Sequence, residues 1–280
     1  MKSTILTVGL ICLSVLVIAQ KKETSIKVMS YNIKFDDKND PVNNWANRKD
    51  QVVGLLKYHE PLIFGTQEGL HHQLEDIKAG LSNFEYIGVA RDDGKQKGEY
   101  SAFFYNTKYF KPIQSGTFWL SETPETPSKS WDAALPRVCS WAEMEDINSK
   151  RRFFVFNTHF DHIGVVAREK SIGVIINKIK ELVNDLPVVV MGDFNFEDDT
   201  APYKRMTEFL NDTRLADNVD PYGPEATFNG FHFDVQPEKR IDYIFVNGQI
   251  KVKSFATLSD SQDMAYPSDH FPVVADLELK

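Results

Sequence analysis

Short apolar runs separated by turn-forming residues recur along the chain, and they restrict its fold more than any other feature. Several runs have the length and the β-branched or aromatic content of buried strands; they cover residues 26–33, 62–66, 101–105, 153–158, 188–191, 241–246 and 271–279. Between some of them, apolar residues recur with the period of an amphipathic helix, as at Ile172, Ile175 and Ile179. Strands mixed with helices in this way predict an α/β protein built from packed layers.

Many of these runs contain or are followed by a single acid, amide or imidazole. A capped turn or a satisfied polar side chain explains any one of them. Burying such groups costs several kcal/mol unless they are paired or bound to a cation, however, so their recurrence at strand ends favours one shared site. The residues are Asn32, Glu68, His159, Asp193, Asn195, Asp242, Asp269 and His270.

Two segments carry the sharpest chemical signal. Gly192-Asp193-Phe194-Asn195 follows a run of valines, and its acid and amide point the same way if the chain is extended. Ser268-Asp269-His270 places a carboxylate beside a titratable imidazole. Oxygen ligands with few histidines and no paired cysteines favour a hard cation, so we expect Mg²⁺, with Mn²⁺ or Ca²⁺ as alternatives, rather than Zn²⁺.

Six segments stand out in chain order: Tyr31-Asn32, Gln67-Glu68, Asn157-Thr158-His159, Gly192-Asp193-Phe194-Asn195, Arg240-Ile241-Asp242-Tyr243 and Ser268-Asp269-His270. Their order resembles that in the endonuclease/exonuclease/phosphatase superfamily. The resemblance covers residues 25 to 280 and implies a DNase I-like four-layer sandwich, in which two packed mixed β-sheets are flanked by α-helices. The element Trp131-Asp132 to Leu135-Pro136-Arg137 is similar to one found in a bacterial exported subgroup.

The resemblance also implies roles for the matching residues. The metal ligands would be Glu68, Asn32 and Asp269. Asp193 and Asn195 would position the attacking water, and either Asp193 or His270 would be the base. The remaining catalytic residues would be Asp242, which orients the imidazole of His270, and His159, which binds a phosphoryl oxygen.

Four further residues are candidate substrate-binding groups. Arg91 and Arg137 could bind a phosphate through their guanidinium groups, and Trp131 could stack on a sugar or a base. The alternatives are salt-bridged arginines and a packed tryptophan. His162 could extend the site or cap the helix that follows it.

The N-terminus predicts export. Residues 1–19 have an early lysine, an apolar stretch and small residues at the end, as in a cleaved signal peptide. An uncleaved anchor is the alternative, although the stretch is short for a span of about 20 residues. We therefore expect a periplasmic or secreted monomer whose catalytic domain covers residues 24–280, without a membrane anchor. Cleavage leaves Cys139, which we expect to be buried and inert.

The net charge of −8 argues against tight binding of long nucleic acid, which needs a basic surface. The sequence therefore predicts an exported metal-dependent phosphoesterase that hydrolyses a P–O bond by in-line attack of activated water. Its expected substrate is a small phosphorylated molecule or a glycan phosphoester. A secreted nuclease acting on short nucleic acids is one alternative, and a non-catalytic binding module on the same fold is another.

Overall fold

A computed structural model describes residues 24–280, so the predicted signal peptide lies outside the described residues. Two six-stranded sheets form the centre. In spatial order, the first sheet contains β11 (Ile250–Thr257), β12 (Val273–Leu279), β1 (Thr24–Asn32), β2 (Ile63–Gln67), β4 (Phe103–Asn106) and β3 (Phe84–Ile87). The second contains β5 (Phe110–Trp119), β6 (Val138–Asp146), β7 (Arg152–His159), β8 (Val188–Asp193), β10 (Asp242–Val246) and β9 (Asn211–Asp212).

Four helices cover the outer faces of the sheets and complete the four predicted layers. They are α1 (Trp45–His59), α2 (His71–Gly80), α3 (Val165–Leu182) and α4 (Ala201–Thr207), with a short 3₁₀ turn at Thr213–Leu215. Each helix buries one apolar face against a sheet, because neither element can hide its apolar side alone. In α3 the buried face includes Ile172, Ile175 and Ile179, as the periodicity predicts.

Three apolar clusters hold the layers together. The cluster between the sheets includes Val28, Ile63, Met191, Ile244 and Ala275. The cluster under α1 and α2 includes Met29, Val52, Leu56, Phe64 and Leu74, and the one under α3 and α4 includes Phe156, Ile172, Ile175, Val190 and Met206. Alternate residues of the central strands enter different clusters, because successive side chains point to opposite faces of a sheet.

Strand direction brings the polar residues to one edge. Strands β1 and β2 are parallel and end at that edge, and antiparallel β12 begins there. Strands β7 and β8 are likewise parallel, and antiparallel β10 begins beside their ends. Asp242, the first residue of β10, therefore lies directly opposite Asp193, the last residue of β8.

A buried polar network fixes the two sheets relative to each other. Asn157 of β7 accepts a hydrogen bond on Oδ1 from Gln67 Nε2 of β2, at 2.7 Å. Its Nδ2 donates to the carbonyl oxygens of Thr66 and Ala102, at 2.9 and 2.8 Å. The Asn157 side chain lies against Gly65, where a Cβ atom would overlap Oδ1.

The strands that differ from the prediction are mainly edge strands and polar strands. Strands β3, β5, β6, β9 and β11 were not predicted. Strand β5 is exposed over much of its length and contains Pro112, while β11 carries Lys251 and Lys253 on its exposed face, so neither reads as a buried apolar run. At the end of β5, Phe118 and Trp119 are buried.

Two other features concern residues 24–280. Cys139 is free and buried as predicted, and burial raises the pKa of its thiol. None of the helices in this part of the chain has both the length and the apolar character needed to cross a bilayer.

The packing at Gly65 predicts that Gly65→Ala destabilises the fold. Its methyl group would displace Asn157, whose side chain is fixed by three hydrogen bonds. We expect a loss of about 1–3 kcal/mol in the free energy of unfolding, measured by urea denaturation. The control is Gly54→Ala in α1, where an added Cβ atom would meet no side chain and no other segment within 4 Å. Alanine should stabilise the helix there by about 0.5–1 kcal/mol. Equal effects at the two positions would contradict this account of the network.

Candidate active site

A cavity of about 770 Å³ opens at the edge where the strand ends meet. Its floor carries side chains from both sheets, because the ends of β2, β7 and β8 and the start of β12 converge there. Asn32 and Asp242 are fully buried behind this floor. The predicted residues that line the cavity are Glu68, Arg137, His159, His162, Asp193, Asn195, Asp269 and His270.

Three residues of the cavity wall adopt left-handed backbone conformations just after strand ends. Lys34, Glu68 and Asn195 have φ values of 55°, 64° and 50°. This region costs roughly 1–2 kcal/mol per residue for a side chain with a Cβ atom, and such residues concentrate at functional sites. The sharp turns let the chain leave the sheet while its side chains still face the cavity.

His270 lies between two carboxylates. Its Nδ1 is 2.8 Å from Asp242 Oδ2, and its Nε2 is 3.7 Å from Asp193 Oδ2. Burial alone would lower the pKa of His270, but Asp242 and then Asp193 outweigh burial and raise that pKa to about 10. The ring of Phe228 packs edge-on against the imidazole, with centroids 5.1 Å apart. His270 is therefore an imidazolium at neutral pH.

Asp193 is the carboxylate at the centre of the floor. Its Oδ2 accepts a hydrogen bond from Asn32 Nδ2 at 2.9 Å, and its Oδ1 accepts one from the backbone N–H of Asn195 at 3.0 Å. Burial, followed by the nearby charge of Asp242, raises the pKa of Asp193 to about 7. A carboxylate with this pKa can exchange a proton near neutral pH.

A second group of oxygen donors surrounds Glu68. Carboxylate oxygens of Glu68 and Asp193 lie within 4.8 Å of each other and of a ring nitrogen of His159, so the two carboxylates could hold a metal ion with the imidazole beside it. Glu68 and Asp269 also share the ammonium of Lys34, which is 3.5 Å from Glu68 Oε2 and 3.4 Å from Asp269 Oδ2. The carboxylates thus already hold a positive charge between them. The donor set fits a hard divalent cation.

Asn32 contacts the carboxylate of Glu68 through its amide nitrogen. Its Nδ2 donates to Glu68 Oε1 at 3.1 Å, while its Oδ1 accepts from the backbone N–H of Lys34 at 3.0 Å. For Asn32 to bind a cation through oxygen, the amide would have to turn over.

Arg137 fixes the protonation of two histidines. Its Nη1 donates to His159 Nδ1 at 2.9 Å, and its Nη2 donates to His162 Nδ1 at 3.0 Å. Because an arginine has no acceptor, each Nδ1 must carry a lone pair and each ring proton must lie on Nε2. Burial, followed by the charge of Arg137, lowers the pKa of both imidazoles, that of His159 by far the more. Both are neutral N–H donors on the cavity wall.

Two residues of the site were not predicted. Lys34 follows the Tyr31-Asn32 segment, but nothing in the sequence marks its left-handed backbone. Asp161 accepts hydrogen bonds from four backbone N–H groups, those of Ala134, Leu135, Ile163 and Gly164, and so fixes the loop that carries Arg137. The order His159-Phe160-Asp161-His162 is the signal that could have identified it.

Two predicted substrate-binding residues do not line the cavity. The guanidinium of Arg91 donates two hydrogen bonds to the carboxylate of Glu99, at 2.6 and 2.7 Å. Arg91 therefore forms a salt bridge within the protein, which was the alternative to phosphate binding. Trp131 is half-buried beside the loop before Arg137 and contributes no atom to the cavity lining. A pattern of residue types cannot show which arginine is already paired.

Similarity to known proteins agrees with this geometry. The family described as Endonuclease/Exonuclease/phosphatase family matches residues 29–270, a range that includes every segment of the cavity floor. A solved member from Bacteroides thetaiotaomicron superposes with a TM-score of 0.88 and 40% identity, covering 92% of this chain and 99% of that one. The mannosyl-6-phosphatase of Bacteroides thetaiotaomicron VPI-5482 has a TM-score of 0.85 and 41% identity, covering 90% and 99%.

One more distant relative is described as a probable RNA exonuclease. The probable RNA exonuclease NGL3 of Saccharomyces cerevisiae is 26% identical over 209 residues, which are 65% of this chain and 40% of that protein. The family match spans far more than half of the chain. The protein therefore belongs to the endonuclease/exonuclease/phosphatase family, whose members are divalent-metal-dependent, and it is a hydrolase of phosphoester bonds.

Proposed function

We propose that this protein is an exported, Mg²⁺-dependent phosphatase that removes phosphate from a small or carbohydrate-linked substrate. The observation that carries the proposal is the confined cavity whose floor combines Asp193, His270 and His159 beside the carboxylate of Glu68. The signal-like segment over residues 1–19 supports export.

The cavity suits a sugar phosphate better than a nucleic acid duplex. Its volume is in the range of small-molecule sites, roughly 300–1,000 Å³. Above the charged floor, its walls include the partly exposed apolar side chains of Leu135, Val165 and Phe228, against which a sugar face could pack. The net charge of −8 disfavours long polyanions. The similarity to a mannosyl-6-phosphatase supports a phosphorylated hexose or glycan.

Glu68, with Asp269 and Asn32, would hold the cation. When bound, Mg²⁺ would supply positive charge to a phosphoryl oxygen, which stabilises the transition state of phosphoester hydrolysis. Oxygen ligands and the absence of a cysteine from the cavity lining favour Mg²⁺ over softer metals.

The other residues supply proton transfer and hydrogen bonds. Asp193 faces the cavity between the two imidazoles and would take a proton from the attacking water. His270, held as an imidazolium by Asp242, would donate to a phosphoryl oxygen. Asn195 Nδ2 lies 3.1 Å from His159 Nε2, and this pair would turn to donate to the other phosphoryl oxygens. Water would attack in line with the leaving sugar oxygen, which would take a proton from solvent and depart as the free sugar.

The first prediction concerns substrate and metal. The protein should hydrolyse mannose 6-phosphate with Mg²⁺ and lose this activity in EDTA, with recovery when excess Mg²⁺ is added. The measurements are phosphate release from hexose phosphates, chromophore release from a phosphodiester, and strand cleavage of short single-stranded RNA and plasmid DNA on gels. A faster reaction with RNA would favour the nuclease alternative, which the similarity to a probable RNA exonuclease supports. No turnover of any substrate would favour the binding module.

The second prediction concerns the floor residues. Asp193→Asn and His270→Gln should each lower kcat/KM by at least about 10²-fold, the effect expected for loss of an acid–base group. The matched control is His59→Gln, which breaks a His–Asp pair of similar length, 2.9 Å to Asp260, outside the cavity. We expect unchanged kinetics in the control. Similar losses in all three variants would contradict these roles.

The third prediction concerns pH. Asp193 would act as the ionised base and His270 as an imidazolium, so kcat/KM should be highest between their pKa values, about 7 and about 10, and should fall as the pH drops below the first or rises above the second. Asp242 does most to raise the pKa of His270, so Asp242→Asn should move the alkaline limb of the pH profile to lower pH. An unmoved alkaline limb in a folded variant, as judged by circular dichroism, would exclude His270 as the group that sets it.

A further inference from the structure

Lys34 is held in an unfavourable backbone conformation by buried groups. Its φ of 55° is left-handed. The carbonyl of Lys34 accepts hydrogen bonds from Gln73 Nε2 at 2.9 Å and from Arg48 Nη2 at 3.1 Å, and both donor residues are buried. Its N–H donates to Asn32 Oδ1. The surrounding structure therefore imposes this conformation, which directs the lysine side chain into the cavity.

The ammonium of Lys34 lies between two carboxylates that would bind the metal. It is 3.5 Å from Glu68 Oε2 and 3.4 Å from Asp269 Oδ2. Strong hydrogen bonds between an ammonium and a carboxylate are shorter, about 2.7–2.9 Å. Lys34 is thus held by charge more than by close contact, and it is not locked to either partner.

The ammonium has room to move without leaving the cavity. The exposed fraction of the Lys34 side chain is 28%, against 13% for Glu68 and 8% for Asp269. Its Nζ also lies 4.8 Å from the ring of Phe35, which offers a second favourable position on the cavity wall. A cation bound by the same carboxylates would repel the ammonium and compete with it for them.

We propose that Lys34 is the counter-ion of Glu68 and Asp269 in the metal-free protein, and that it gives these carboxylates up to the divalent cation and turns to the substrate phosphate. Lys34 thereby weakens metal binding and strengthens phosphate binding once the metal is present. This inference rests on the metal site of the proposed function.

The test compares Lys34→Met with wild type and with Lys239→Met. Lys239 also lines the cavity, but it makes no ion pair among the described residues, so its loss removes the same charge without freeing a carboxylate. Metal-free proteins are titrated with Mn²⁺ in a calorimeter. We expect Lys34→Met to bind Mn²⁺ at least about 10-fold more tightly than wild type, and Lys239→Met to stay within about twofold.

The second measurement is the affinity for inorganic phosphate in saturating Mg²⁺. Here Lys34→Met should bind at least about 10-fold more weakly than wild type. The opposite signs are diagnostic, because a merely structural defect would weaken the binding of both ions. If Lys34→Met does not fold, Lys34→Asn serves in its place, since asparagine tolerates the left-handed region.

Each outcome separates the two proposals. Mn²⁺ affinity equal in wild type and Lys34→Met, or weaker in the variant, overturns the role of Lys34 and leaves the metal site intact. No Mn²⁺ binding in wild type or in any variant overturns both the role of Lys34 and the proposed metal site. Tighter Mn²⁺ binding with unchanged phosphate affinity overturns the movement of Lys34 toward the substrate.

Discussion

Four carboxylates meet at one edge of the two sheets, and two cations compensate their charge. Glu68, Asp193, Asp242 and Asp269 lie close together and largely out of water. Burying one unpaired carboxylate is costly, and burying several side by side is more so. Two cations make the arrangement tolerable, since His270 lies between Asp242 and Asp193 while Lys34 lies between Glu68 and Asp269. The charges of Asp242 and Asp193 keep the proton on His270, while burial, followed by the charge of Asp242, raises the pKa of Asp193. The burial of charge at this edge thus bears on both stability and chemistry.

The site also needs two sheets in fixed register, because each contributes only part of it. The first sheet brings Asn32, Glu68 and His270, and the second brings Asp193 and Asp242. Asn157 spans the gap between the sheets through its hydrogen bonds to Gln67 and to backbone carbonyls. A shift of one sheet relative to the other would break this network and would also separate the reacting groups. Polar bonds of this kind specify one arrangement of the layers, which an apolar interface alone leaves less defined.

Much of the fold and of the cavity floor could be predicted from the sequence, because buried strands are apolar and end in unusual polar residues. The four-layer α/β sandwich and the family are confirmed. Edge strands such as β5 and β11 were not predicted, because many of their side chains face water and include lysines. The sequence could not show that Arg91 is already paired with Glu99, or that Lys34 reaches two carboxylates. Those facts depend on how distant segments meet, which residue types and spacing do not encode.

Two interactions set the protonation of the histidines in the cavity. Asp242 keeps His270 protonated, and Arg137 keeps His159 neutral. Together they would surround a phosphoryl group with donors while one carboxylate accepts a proton. The most direct test is a crystal structure of Asp193→Asn grown with Mn²⁺ and mannose 6-phosphate. The account predicts an anomalous peak on the order of 2 Å from a carboxylate oxygen of Glu68, with the phosphate between His159 and His270. A metal peak away from Glu68, or a phosphate bound outside the cavity, would contradict it.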